Sequence, residues 1–485
     1  MRIIVNGFHK PQYFPIISFL VDFVGAEVCH IIYEEEKIPL RVETKYYACA
    51  VLSHEYIYEP LGVELLPLDS DLLKRLSDCE AVALKMMERD EIRGEWSYDK
   101  RKEVYLRHLR YWNHVIETEQ IKLFVSSNIP HVVYDYIIYC LCRVKGIRTV
   151  LFYQFQPGLS FSMSDWKDPT PGIRERIAAL SCSGEMALSP RLEHEWQMNV
   201  VNRISEIPFY MLTPPNQQIN EFSKGRFPFF KSRMKNLLIK PWRLVLFVWN
   251  LRQRLNQYYS LLKEHYLLDR SEKINDYYRN LCVSPDLSQK FIYFPLHLQP
   301  ELSTSPMAGV YVDQLLIAQL MSAYLPEGYY IYVKEHPNQN MLYRSEDFYK
   351  TLSSLKSVKI VPRSYDTFKL IDNSFAVATC TGTAGWEAFL KAKSVFLFGY
   401  TFYQNAPNVF PVRSKEDFEK ALRDILSYPR KEDWTSIRAF LKALDTHAVY
   451  GNIDPDYMQN SELSWKQNSS IIIESLKKSL SADYR

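Results

Sequence analysis

No apolar run in this sequence approaches the roughly 20 residues that a membrane-spanning helix needs; the longest dense one, Trp242 to Trp249, is interrupted by Arg243. An integral membrane protein is not expected. Nor does charge of one sign dominate. The 59 Lys and Arg stand against 56 Asp and Glu, a formal net charge of +3, which supplies no general field for a nucleic-acid partner. The eight cysteines (Cys29, Cys49, Cys79, Cys140, Cys142, Cys182, Cys282, Cys380) are scattered without metal-ligand spacing, so they read as reduced thiols acting as small hydrophobes. Cys140 and Cys142 sit two apart in an apolar helix and face different directions. The opening MRIIVNGFHK lacks the basic region, apolar core and cleavage site of a secretory leader. The expected compartment is therefore the cytosol. There is no repeat of short period, no Walker loop and no GxGxxG fingerprint.

What the sequence does have is length and rhythm. Its 485 residues suffice for two Rossmann-sized domains with accessory helices. The aromatic content of 14%, with 34 Tyr, suits sugar-stacking surfaces and ordinary cores alike. The first half alternates short apolar runs with helix-like stretches, a βαβ rhythm. Strands are expected at Arg2–Asn6, Val28–Tyr33, Val63–Leu66, Leu123–Ser126, Thr149–Tyr153 and Pro208–Leu212. Helices are expected at Tyr13–Phe23, Tyr98–Thr118 and His131–Lys145, the last ended by Gly146. From Asn216 to Leu281 long basic and aromatic helices take over, and Arg226–Lys263 holds nine Lys or Arg and no acid. The rhythm then restarts with strands at Phe291–Leu298, Tyr329–Lys334, Val358–Val361, Ala376–Cys380 and Ser394–Phe398. Helices fall between them, and closing helices follow at Lys415–Leu426, Trp434–Leu444 and Ser469–Leu480. The fold class is α/β: an N-terminal Rossmann-like unit over 1–215, a helical insert over 216–285, a C-terminal Rossmann-like unit over 286–430 and closing helices over 431–485. Ligands should lie beyond the carboxyl ends of the strands.

Three strand ends concentrate chemistry. After Phe291–Pro295 come His297, Gln299 and Glu301, which alternation would put on one side; a polar loop explains them equally. A second strand ends in Lys334, Glu335, His336 and Pro337. A third turns through Thr381, Gly382 and Thr383 into a helix whose free N–H groups and partial positive charge suit a phosphate. Glu387, one turn in, could reach a ribose hydroxyl, or could complement the helix dipole. Asp69-Ser70-Asp71 has the form of a metal-binding DxD, but it precedes a helical run and reads as an N-cap. His9 follows the first strand, where it either touches a ligand or shapes a turn.

These residues carry a family resemblance. FPLHLQPE (294–301), LPEGYYIYVKEHP (325–337) and TGTAGWEAFLKAKSVFLFG (381–399), with the weaker IPHVVYDYIIYCLCRVKGIRTVLFYQ (129–154), resemble the capsule polysaccharide biosynthesis family, itself similar to bacterial transferases for Kdo and related acidic sugars. The resemblance implies a GT-B architecture, with the acceptor largely on the first unit and a nucleotide sugar, often CMP-linked, on the second. It gives His336 with Pro337 the contact to the donor phosphate, and gives Thr381 and Thr383 the hydroxyl-rich turn. His297, Gln299, Lys334, Gly382 and Glu387 complete the expected donor set. Glu301 and Asp135, with His131 beside the latter, are the candidates for catalysis, as base or nucleophile. Neither metal nor cofactor is expected. The expected function is transfer of a sugar, Kdo-like if the resemblance extends to the donor, to a surface polysaccharide or lipid-linked acceptor. Two rivals stand beside it: a non-catalytic polysaccharide-binding or assembly protein, and a UDP-sugar transferase or epimerase. The basic aromatic stretch 226–263 either meets an anionic membrane surface or braces the two units.

Overall fold

The computed structural model describes residues 1–8, 10–33, 37, 39–48, 64–89, 96–183, 187–202, 265–427, 433–459 and 461–481. The expected strand at Pro208–Leu212, the basic stretch 226–263, most of the insert and His9 lie outside these residues.

Among the described residues two sheets form. The first is ordered β13-β6-β5-β4-β1-β2-β3, built from β1 (Arg2–Asn6), β2 (Val28–Tyr33), β3 (Glu43–Ala48), β4 (Ile121–Ser126), β5 (Arg148–Gln156), β6 (Leu159–Met163) and β13 (Ala448–Val449). From β5 to β3 it is parallel, while β6 runs antiparallel to both its neighbours, β5 and β13. The second sheet, β12-β11-β10-β7-β8-β9, is parallel throughout. Its strands are β7 (Lys290–Pro295), β8 (Tyr329–Lys334), β9 (Val358–Val361), β10 (Ala376–Thr379), β11 (Ser394–Leu397) and β12 (Val409–Pro411). Central strands covered by helices on both faces bury every side chain. Ile3, Ile4 and Val5 of β1 are accordingly buried, as is all of β10.

Local chemistry sets the ends of several elements. The helix Tyr98–Thr118 begins where Ser97 accepts from Lys100 N–H, and Val133–Val144 ends before Gly146 at a φ of 66°. Asp69 caps Ser70–Arg75 by accepting from Leu72 N–H at 2.8 Å, so the DxD-like acids serve a helix end. Residues 64–69 form no strand, contrary to the expectation for Val63–Leu66. Pro67 has no N–H for a ladder, and the parallel partner of β2 is β3, whose polar ETKYYA hides the usual apolar signal. The described part of the insert is helical over 265–281.

The closing segments return to the first unit. Helix Trp465–Ser481 packs Ile472, Leu476 and Leu480 against Ile16, Ile17 and Leu20 of helix Phe14–Val24. Gln154 of β5 accepts from Ile453 N–H at 2.7 Å. The two units are joined by aromatic packing: Phe402, after β11, lies 4.6 Å from both Phe155 and Phe161, and Trp166 meets Tyr400 at 5.5 Å. No helix among the described residues is long and apolar enough to cross a membrane.

Phe402 is fully buried at this junction. Phe402→Ala should cost about 3–5 kcal/mol by leaving a cavity, read as a lowered denaturant midpoint. A loss under about 1 kcal/mol would mean that the aromatic junction does not couple the units.

Candidate functional site

Each sheet reverses its strand order once, the first between β1 and β4 and the second between β7 and β10. In a doubly wound sheet that reversal opens a crevice beyond the strands' carboxyl ends. Most of the residues singled out in the sequence lie at these two crevices or on the strand next to them.

At the second crevice the loop after β7 and the turn after β10 are tied by one imidazole. His297 is buried, and its Nε2 accepts from Thr381 N–H at 3.2 Å and lies 3.3 Å from Thr379 Oγ1. Burial, reinforced by nearby His336 and Arg344, lowers its pKa to about 3, so the ring is neutral. A Cβ at Gly382 would stand 2.9 Å from that Nε2, which is why the turn needs glycine. Strand β7 ends at Pro295, so alternation stops before His297, and the expected single-sided row does not form. His297 turns inward. Gln299 donates Nε2–H to Val312 O and accepts from Arg344 on Oε1, and its main chain exchanges bonds of 2.8 and 2.9 Å with the side chain of Gln339. It positions the loop and presents no free amide to a donor. Glu301 stays exposed, accepting from Ser303 Oγ at 2.6 Å.

Beneath this loop lies a buried ion pair that the sequence reading passed over. Glu335 and Arg344 meet at 2.8 Å with side chains 0% and 2% exposed. Tyr349 OH and His336 N–H also donate to the carboxylate, at 2.6 and 2.8 Å, while Arg344 reaches His297 O at 3.1 Å. Of the cluster Lys334-Glu335-His336, Glu335 is thus structural. Lys334 and His336 keep donors to offer. Lys334 Nζ is bonded to Thr367 Oγ1 at 2.6 Å, and burial lowers its pKa to about 8. His336, neutral because burial lowers it to about 4, accepts from Asn338 N–H on Nδ1 at 3.2 Å. Its proton therefore sits on Nε2, which has no hydrogen-bond partner among the described residues. Pro337 is exposed beside it.

In the turn itself Thr381 Oγ1 donates to Ser303 O at 2.8 Å. Thr383, half-buried, opens the helix Thr383–Leu390, whose first N–H groups lack intrahelical acceptors. Glu387 is raised to about 8 by burial, with Glu195 of the first unit adding to the shift.

At the first crevice Asn6, at the end of β1, donates to Ser126 Oγ of β4 at 3.1 Å and to Asp135 Oδ2 at 3.3 Å. Gly7 follows at a φ of 82°, and a Cβ there would collide with Ser127 Oγ at 2.1 Å. Asp135 Oδ1 accepts from Val132 N–H at 2.8 Å. Burial raises this carboxyl to about 7, opposed by Arg89. His131, lowered to about 4 by burial and Arg89, contacts Ile129 O at 2.9 Å. Asn6 was missed in the sequence, although its place directly after the first strand could have marked it. Among the described residues no group of three or more His, Cys, Asp or Glu is placed to hold a metal.

Residues 310–407 match the capsule polysaccharide biosynthesis protein family. The match spans 325–337 and 381–399, two of the three strongest segments of the resemblance; 294–301 and 129–154 lie outside it. No curated protein matches the chain. Among solved structures, the KpsC β-Kdo 2,4 transferase of Thermosulfurimonas dismutans is similar at 13% identity, covering 74% of this chain and 88% of that one, with a TM-score of 0.31. The β-Kdo 2,7 transferase of the same organism is similar at 16%, covering 44% and 62%, with a TM-score of 0.25. The UDP-GlcNAc 2-epimerase of Methanocaldococcus jannaschii is similar at 11%, covering 92% and 98%, at 0.26.

The raised Asp135 has a measurable consequence. The folded state holds this proton up to about pH 7 and the unfolded chain only to about 4, so stability falls as pH rises between them. Asp135→Asn removes the titration. The difference in Tm between this variant and the parent should grow in the variant's favour from pH 4.5 to pH 7.5; a constant difference would show that Asp135 ionises normally.

Proposed function

We propose that the chain transfers a sugar from a nucleotide-activated donor to a surface polysaccharide or glycolipid acceptor, with the donor on the second unit. One observation carries this reading. Among the described residues the strand ends β8 and β10 carry a buried ammonium, an imidazole N–H with no hydrogen-bond partner and a helix N-terminus, and neither the Lys334 ammonium nor the His336 ring is bonded to a carboxylate. Such a set complements a phosphate whose charge grows as the bond to the sugar breaks. The resemblance assigns that phosphate to His336 and names CMP as the nucleotide, with Kdo-like sugars as the donor class.

In the proposed reaction a carboxylate takes the proton of the acceptor hydroxyl, whose oxygen attacks the anomeric carbon. The bond to the nucleotide phosphate breaks with its electron pair on the phosphate oxygen. His336 donates Nε2–H to that oxygen, and Lys334 and the N–H groups of Thr383 and Ala384, which open the helix, neutralise the rest. Asp135 and Glu301 compete for the proton. Asp135 titrates near neutrality at the first crevice, as a base must; Glu301 is the more accessible.

Thermal shift against CMP, UDP and GDP tests the donor, since a ligand at a hundredfold excess over its Kd stabilises by about 2.7 kcal/mol. CMP should raise Tm, and His336→Ala should abolish the shift while the apo Tm stays within about 2 °C. A shift by UDP alone would select the UDP-sugar reading. No shift by any of the three would leave a polysaccharide-binding protein.

The carboxylates separate in a transfer assay with a CMP-linked sugar. One of Asp135→Asn and Glu301→Gln should lose activity by at least a hundredfold with CMP binding intact, because only the proton acceptor fits that profile. Two fully active variants would place the base elsewhere.

A further inference from the structure

The two crevices meet at one side chain. Arg89 ends the short turn Met87–Arg89. Its Nη1 donates to the carbonyl of His131, and its Nη2 donates to the carbonyl of Ser305 at 2.9 Å. His131 lies in the segment that leads into the helix of Asp135. Ser305 closes the turn that starts at Glu301, whose carbonyl accepts from Ser305 N–H at 2.8 Å. The guanidinium therefore bridges the two segments that carry the candidate carboxylates.

Its own support is rigid. Met86 and Met87 are buried to 1% or less. One turn back along the chain, Lys85 reaches across to Asp313 of the second unit at 3.2 Å while also pairing Glu88 at 3.0 Å. Lys85 and Arg89 thus both reach the second unit, and Arg89 touches the loop that carries Glu301. A planar fork of N–H donors can serve two carbonyls in fixed directions, which a lysine ammonium cannot. The positive charge of Arg89 acts on Asp135 and His131 together.

We propose that Arg89 is a positioning residue of the cleft, its guanidinium setting the separation between the head of the Asp135 helix and the Glu301 loop. The assignment rests on the reading that transfer takes place between the two crevices.

Two variants and two readouts test it. Arg89→Met should lower kcat for transfer from a CMP-linked sugar at least tenfold and leave the Kd of CMP within twofold, because the phosphate donors lie on the second unit. Arg89→Lys restores the charge without the fork, and its kcat should remain at least fivefold down. Parental kcat in both variants would overturn the proposal. The second readout needs no activity. With Arg89 gone Asp135 should hold its proton to higher pH, so the fall of Tm with rising pH should extend past pH 7.5 in Arg89→Met and return in Arg89→Met/Asp135→Asn to the profile of Asp135→Asn alone. A Tm profile of Arg89→Met parallel to the parent's would overturn the proposal too. Absence of nucleotide binding by the parent would instead remove the transferase reading, while the Tm profiles would still decide whether Arg89 acts on Asp135.

Discussion

The ion pair between Glu335 and Arg344 organises the second unit's crevice. Its carboxylate is surrounded by Arg344, Tyr349 and the backbone of His336, and its guanidinium reaches His297 O and the amide of Gln299. Taking two charges out of water is costly, and it is offset only when geometry and further hydrogen bonds are good. Here those further bonds are to the two chain segments that form the crevice. Breaking the pair would leave a bare charge under both segments at once. The orientation of His336, and the inward turn of His297 that fixes the Thr381–Gly382 turn, both follow from this arrangement.

Electrostatics then divide the labour between the strand ends. On the second unit burial drives the imidazoles of His297 and His336 and the ammonium of Lys334 toward neutrality, against the pull of Glu335 on His336 and of Asp366 on Lys334. On the first unit burial drives a carboxyl upward and holds it at neutral pH between its two forms. Arg89 stands where the segment before the Asp135 helix meets the loop after β7.

Much of this was legible in the sequence, for reasons that also explain what was not. Parallel central strands are apolar throughout, so β1, β2, β4, β7, β8 and β10 announced themselves by their runs of Ile, Val and Phe. Strand β3 did not, because its half-exposed ETKYYA alternates poorly, and β13 is too short to carry a pattern. The residues at strand ends could be found because strand order implies where a crevice opens. Their directions could not. Whether His297 faces a ligand or the underside of a turn depends on Arg344, 47 residues away, and Arg89 owes its place to carbonyls 42 and 216 residues distant. Contacts with no side-chain identity at the accepting end leave no trace in a linear pattern. The same holds for the pairing of Glu195 with Trp386, where a carboxylate of one unit meets an indole of the other at 3.4 Å.

The return of residues 448–481 to the first sheet bears on how the chain is made. Strand β13 caps an edge formed by β6, and helix Trp465–Ser481 covers a face whose other wall, Phe14–Val24, leaves the ribosome hundreds of residues earlier. Until the entire second sheet has been synthesised, that face has no cover and that edge no partner. A nascent first unit would therefore expose apolar surface through most of translation. Its final closure must follow the synthesis of the second sheet.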